Sequence, residues 1–314
     1  MKDRKAVSRS DRPADVRLSD LAHLVRAPAA LSVPGDVLAG AAAAGAPLTA
    51  RTLGVTTSSV CLYWAGMALN DYADATVDAV ERPERPVPSG RVPRRTALAV
   101  AGGLTAAGLG VAALAGGRRG LLGALPLAGL VWAYDLGLKS TPAGPAAMAG
   151  ARALDVLAGA LTAPTGTGTA VRRGAGAAAL VGAHTYTLTA LSRHEISGAP
   201  ARLPATTLAV SAATTLATVA PALRRARHDR TARPAAAVTA AAALTCLGAY
   251  GTAQLRAARE PSGENVRRAV GAGILALMPL QAALTARAGA PATATVLGVA
   301  HPLARRLARR ISPT

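Results

Sequence analysis

Met67-Ala68-Leu69-Asn70-Asp71-Tyr72-Ala73-Asp74-Ala75-Thr76-Val77-Asp78 closes an apolar run that begins at Leu53. Three carboxylates and an amide thus stand where a hydrophobic segment stops. On a helix, positions i, i+3 and i+7 share a face, so Asp71, Asp74 and Asp78 are expected in one stripe. Three like charges repel, and carboxylates at a helix C-terminus oppose the helix macrodipole. A plain solvated helix end is therefore a poor account of the stripe, and a bound cation is a better one. Hard oxygen donors suit Mg²⁺, which is usually held by one or two carboxylates plus substrate phosphates. Asn70, Asp71, Asp74 and Asp78 are the candidate ligands. Their place at a membrane edge points to a phosphorylated, lipid-soluble substrate.

The rest of the chain agrees with a membrane setting. Of its 314 residues 51% are hydrophobic and only 16% are charged, where a soluble domain carries about a quarter. Mean hydropathy is +0.31. Apolar stretches near the ~20 residues needed to cross a bilayer recur from end to end. Candidate spans are 27–46, 52–70, 95–115, 120–138, 144–163, 174–191, 203–222, 235–255 and 268–289. The expected fold is all-α: a polytopic bundle of about nine transmembrane helices around a central cavity. Ala and Gly dominate the stretches, and small residues let helices pack closely. A shorter apolar piece, 291–303, is expected to lie in the interface, followed by a basic tail, 305–314. Residues 1–20 read as a disordered cytoplasmic tail, and 21–304 as the membrane domain.

Net charge is +19, which raises nucleic acid as a partner. The basic residues fall between apolar segments, and no basic helix is laced with aromatics. No nucleic acid is expected; Arg-rich loops suit anionic lipid. Cys61 and Cys246 lie inside apolar runs and read as buried small hydrophobes.

Lys and Arg are more numerous on one side of the membrane if the N-terminus is inside, with loop 223–234 as the exception. That orientation puts Asp71 to Arg95 in the cytoplasm. The second, fourth and sixth spans end at Asn70, at Tyr134-Asp135-Leu136-Gly137-Leu138-Lys139 and at Ser192-Arg193-His194-Glu195. Their parity predicts that all three polar segments share one membrane face.

Arg82, Arg85 and Arg91 follow the carboxylates on a Pro-rich loop. Arg grips phosphate bidentately, so Arg85, between Pro83 and Pro86, suits a diphosphate clamp. Ordinary positive-inside charge is the alternative, and the stronger one for Arg91. Asn70-Asp71-x-x-Asp74-x-x-x-Asp78, with Arg85-Pro86-x-Pro88-Ser89-Gly90 after it, resembles the first aspartate-rich motif of the UbiA superfamily of intramembrane prenyltransferases. The resemblance extends to about nine spans and to the position of the motif. It implies Mg²⁺ on Asn70, Asp71, Asp74 and Asp78, a polyprenyl diphosphate donor, and a lipid or aromatic acceptor.

The family's second motif, of DxxxD type, follows the sixth span. Ser192-Arg193-His194-Glu195 stands there, with Glu195 as the one carboxylate ligand. It is similar to a Ser-Arg-x-Glu segment of a divergent subgroup. By their chemistry, Arg193 is a candidate to stand in for metal charge at the diphosphate and His194 to accept the acceptor's proton. A plain polar loop is the alternative for His194. Tyr134 and Lys139 resemble a Tyr-x-x-x-Leu-Lys stretch of the family, which makes Lys139 a second phosphate contact; snorkelling to the interface is its alternative.

Asp36, Arg152 and Asp155 fall at membrane depth, where charge is costly and faces the bundle interior. Arg152 and Asp155, three apart, are placed to pair on one helix, for structure or for function. Six of the seven aromatics (Tyr63, Trp64, Tyr72, Trp132, Tyr134 and Tyr186) lie near the polar segments. They suit either an allylic cation or a one-sided interfacial belt. Two rival functions stay open: a non-catalytic binder or transporter of prenylated lipids, and a phosphoribosyl or glycosyl transferase acting on polyprenyl phosphate.

Overall fold

A computed structural model describes residues 16–311. Among them every regular element is helical: α1 (Leu18–Leu24), α2 (Pro34–Ala44), α3 (Ala50–Ala73), α4 (Ala75–Glu81), α5 (Arg94–Leu136), α6 (Gly144–Ala160), α7 (Thr167–Ser192), α8 (Arg202–His228), α9 (Arg233–Cys246), α10 (Thr252–Arg259), α11 (Gly263–Arg287) and α12 (Pro291–Ile311). Short 3-10 and π turns join them. Most of the tail expected at 1–20, residues 1–15, lies outside the described residues, as do 312–314.

Four helical stretches are long and apolar enough to cross a membrane: Arg94–Leu136, Arg202–His228, Arg230–Arg259 and Gly263–Arg287. The first of these holds two of the expected spans. Gly117 adopts φ 56, ψ −138 inside it, a conformation open to glycine and strained for other residues. The chain reverses there. A Cβ on Gly120 would stand 2.0 Å from the Ala112 carbonyl oxygen. Trp132 Nε1 donates to Thr105 Oγ1 at 3.0 Å. α5 is thus a helical hairpin whose second leg returns to the end where α3 finishes.

The first expected span, 27–46, is different. Residues Ala27–Ser32 form a 3-10 helix and α2 has only 11 residues, about 17 Å at the usual rise. By itself α2 is shorter than a bilayer core of roughly 30 Å. The interfacial piece expected at 291–303 is longer than foreseen. It lies within a 21-residue helix, α12, which buries Ala294 and Leu297 among Ala282, Ala286 and Leu38.

Packing between α2 and α6 relies on two glycines. A Cβ on Gly40 would meet the Val156 carbonyl oxygen at 1.7 Å, and one on Gly159 would meet that of Val37 at 2.1 Å. The backbones touch, as small residues allow inside membranes. Gly40→Ala is expected to push the helices apart and to cost about 2 kcal/mol, in the range of overpacked cores. Thermal unfolding in detergent checks this; an unchanged midpoint would mean that the crossing tolerates a methyl.

That crossing sets the deepest charges. Arg152 Nε lies 2.8 Å from Asp36 Oδ2, and Asp36 is fully buried. Ser59 Oγ donates to Asp155 Oδ1. The pairing expected within α6 is therefore replaced by an ion pair between helices, because Asp36 reaches the guanidinium from α2. Cys61 and Cys246 are both free thiols.

Candidate active site

The helix that carries the carboxylates does not run straight through them. Asp74 leaves helical geometry at φ −89, ψ 6, ending α3 and starting α4. The single stripe expected from i, i+3, i+7 spacing is broken at its middle member. The bend wraps the outer two around one guanidinium. Arg85 Nη1 lies 2.5 Å from Asp78 Oδ2 and 3.7 Å from Asp71 Oδ1. Asp71 and Asp78 are 1% and 2% exposed, so these are desolvated contacts. Asp74 turns instead to Lys139 Nζ, 2.7 Å away. Lys139 thus faces the carboxylates rather than the lipid interface.

The loop after α4 is held by its own apolar residues. Val87 and Val92 pack with Leu24, Leu69, Ala97 and Ala101, and Val92 N donates to Pro86 O at 2.9 Å. This fixes Arg85 over the end of α3. Arg91 ties the loop to α1 through Asp20 (3.0 Å) and closes on the loop's own Glu84 O (2.7 Å).

Two neighbours were not among the sequence candidates. Arg26 Nη2 donates to Asp71 Oδ1 at 2.9 Å. Asn70 Nδ2 donates to Asp135 Oδ1 at 3.1 Å. Asp135 carries a readable signal, a carboxylate at the end of an apolar helix beside Tyr134. Arg26 carries none, since a basic residue before a first span reads as interfacial charge.

The segment after α7 reaches the same end. Arg193 Nη1 donates to Thr141 O, in the loop that carries Lys139. Arg267 Nη2 donates to Glu195 O at 3.2 Å. Glu195 has Arg82 and Arg267 as its charged neighbours, and burial pushes its carboxyl up against their pull. It stands with these arginines at the segment that takes the place of the second motif. His194 is partly buried on the same turn. Tyr134 lies within electrostatic reach of Asp135, Asp74 and Arg193.

The aromatics do not form one group. Tyr72 stacks under the Arg94 guanidinium, 4.5 Å from ring centre. Trp132 packs in the apolar cluster with Leu69 and Ala97, and Tyr186 is half exposed. Of the other three, Tyr63 and Tyr134 lie beside charged groups of the site. A hollow of about 370 Å³ lies between α2, α3 and α12, lined by Pro34, Leu38, Leu53, Thr56 and Val296 among others. Thr56 is some 22 Å along α3 from Asp71 at 1.5 Å per residue, so this hollow is off-centre and remote from the carboxylates.

The donors suit a divalent ion: carboxylate oxygens and an amide, all hard. Among the described residues no three acidic or imidazole side chains stand as one metal-holding group. Arg26, Arg85 and Lys139 supply the counter-charge in this structure.

The model of the UbiA prenyltransferase family matches residues 33–220. This chain belongs to that family. It is 43% identical over 111 residues to digeranylgeranylglyceryl phosphate synthase of Methanopyrus kandleri, covering 35% of this chain and 38% of that protein. It is 37% identical over 128 residues to the synthase of the same name from Ignicoccus hospitalis, covering 41% and 42%. The matched stretches thus span well under half of these curated relatives. Two solved structures share the fold. One concerns digeranylgeranylglyceryl phosphate synthase in membranes, at a TM-score of 0.61 and 15% identity, over 86% of this chain and 98% of that one. The other is the apo structure of a UbiA homolog from Aeropyrum pernix K1, at 0.57 and 21%, over 79% and 96%. Multiple apolar helices and family membership make the UbiA-type chain an integral, multi-pass membrane protein.

Proposed function

We propose that this UbiA-family chain transfers an isoprenyl group from a polyprenyl diphosphate to a lipid acceptor in a Mg²⁺-dependent reaction. The carrying observation is the meeting of Asp71, Asp78 and Arg85, with Asp74 and Lys139 beside them, at one end of an apolar bundle. Acidic groups for a cation and basic groups for phosphate, both largely withdrawn from water, suit an anionic head group on a greasy chain. The relatives' name, a glyceryl phosphate bearing two geranylgeranyl chains, favours a glyceryl-phosphate lipid acceptor over an aromatic one.

Asn70, Asp71, Asp74 and Asp78 would hold the ion, which when bound neutralises the diphosphate and makes it a better leaving group. Arg85 and Lys139, already turned toward the carboxylates, would stabilise charge developing on the departing diphosphate. Arg82, beside Glu195, and Arg193, bonded to the loop that carries Lys139, would add positive charge for the diphosphate. Glu195 keeps Arg82 and Arg267 company rather than the first-motif aspartates, which supports the reading of a divergent second motif in which arginine replaces metal charge. His194, on that turn, is the candidate proton acceptor. The isoprenoid tail would lie between the Ala- and Gly-rich helices.

Nine crossings are proposed, counting the two legs of α5 separately and pairing α2 with the 3-10 turn before it. The Lys and Arg bias places the polar end in the cytoplasm. Purified protein given Mg²⁺ and geranylgeranyl diphosphate is expected to release diphosphate when a glyceryl-phosphate lipid is present and not otherwise. Binding of the diphosphate without release would favour a carrier of prenylated lipids. Release with a phosphoribosyl donor and polyprenyl phosphate instead would favour the glycosyl transferase reading.

A further inference from the structure

Arg26 is the one non-glycine residue with positive φ among the described residues, at φ 46, ψ 52. Such a conformation is disfavoured for a side chain with a Cβ and persists where surrounding contacts hold it. Its own contacts are Asp71, at 2.9 Å, and Met67 Sδ, at 3.3 Å. The chain then runs through six residues of 3-10 helix, Ala27–Ser32, longer than such turns usually are. Contacts at the near end alone do not explain why this poorly bonded segment keeps its place.

The far end is pinned deep in the bundle. Ser32 O accepts from Gln281 Nε2 at 2.8 Å and from Arg152 Nη2 at 3.2 Å. The same Gln281 amide donates to Asp36 Oδ1 at 2.6 Å. Arg152 pairs with the other oxygen of Asp36. Two helices, α6 and α11, thus grip one carbonyl and the first turn of α2 that follows it. Gln281 is fully buried. Gly35 makes room for it: a Cβ there would stand 2.1 Å from Gln281 Oε1.

We infer that Gln281, acting with Arg152 and Asp36, is a positioning residue of the site: it pins the segment 27–33 at Ser32 and so keeps Arg26 on Asp71. This rests on the proposed reading of Asp71 as part of the diphosphate site. Gln281 touches no group of that site itself and works through the backbone between Ser32 and Arg26.

Gln281→Leu keeps the volume and removes both donated hydrogen bonds. Two readouts are needed. Hydrogen exchange on the purified protein is expected to show faster exchange of the amides at 27–33, with α11 still protected. In prenyl transfer, kcat/KM is expected to fall about tenfold, as for a residue that orients a ligand from one layer out. That fall is expected to vanish in an Arg26→Ala background, since coupled residues are non-additive. Gly35→Ala, which displaces the Gln281 amide without deleting it, is expected to give the same signature. Unchanged exchange at 27–33 in Gln281→Leu would overturn the inference. So would a tenfold loss that persists with Arg26→Ala, because the network would then be merely structural. If wild-type protein turns nothing over, the prenyl-transfer reading fails, and the exchange result still decides whether the segment is pinned.

Discussion

Asp71→Asn is expected to lower kcat by about 10³-fold, or ~4 kcal/mol of barrier, in the range seen when one preorganised charged or dipolar group is lost from a site. The reasoning is local. Asp71 is the carboxylate at which Arg26 and Arg85 both converge, and it is almost fully buried. An amide there keeps size and can still accept from Arg26. It removes the charge that would hold a divalent ion. Arg85 keeps Asp78 at 2.5 Å, so the loop after α4 stays closed and the fold is retained. Turnover as a function of Mg²⁺ concentration, beside thermal unfolding of the same sample, checks both parts. Wild-type turnover with an unchanged Mg²⁺ response would remove Asp71 from the ion site. Loss of turnover together with loss of the folded state would make its role structural.

Arg152→Met is expected to be the most destabilising single change in the interior. Arg152 is the ion-pair partner of Asp36 and the nearby cation for Asp155 at membrane depth, and both carboxylates are buried. Deleting the cation strands two carboxylates, and breaking a buried pair from one side costs about 3–5 kcal/mol. Asp155→Asn is the opposite case. Its partner is the Ser59 hydroxyl, which an amide oxygen can also accept from, and the change removes the excess negative charge. It is expected to leave stability unchanged within about 1 kcal/mol or to raise it, the usual result where a buried charge is replaced by a neutral group of the same shape. Unfolding midpoints in detergent for the two variants decide the matter. Equal losses would mean that Asp155 is an obligatory anion and that Arg152 serves it as much as Asp36.

Much of the site was legible because its chemistry is written in a short stretch. Asn70 to Asp78 and the Arg85 loop announce acid and base beside an apolar run. Parity of the apolar segments places the ends of three spans on one face, where Arg193 bonded to Thr141 O and Lys139 to Asp74 are found. What escaped depends on contacts between residues far apart in the chain. Arg26 meets Asp71 across 45 positions and Asn70 meets Asp135 across 65, and no local pattern pairs them. The break at Asp74 escaped for another reason: helical periodicity assumes an unbroken helix, and the bend follows from the carboxylates' separate partners. Aromatic proximity misled as well, because closeness in sequence says nothing of the side on which a ring faces.

By itself the sequence determined the medium and the chemistry. Its hydropathy demands a bilayer, where backbone groups must be satisfied within helices, and its acidic stretch demands counter-charge. Tertiary structure alone decided which cation meets which carboxylate. It closed the two spans 95–115 and 120–138 against each other as a hairpin at Gly117, set Asp36 rather than Asp155 on Arg152, and brought Gln281 under Ser32. The physical reason is that an ion pair in a dry interior is chosen by a distance of a few ångströms between helices, and that distance is set by where glycines such as Gly40 and Gly159 let two backbones touch.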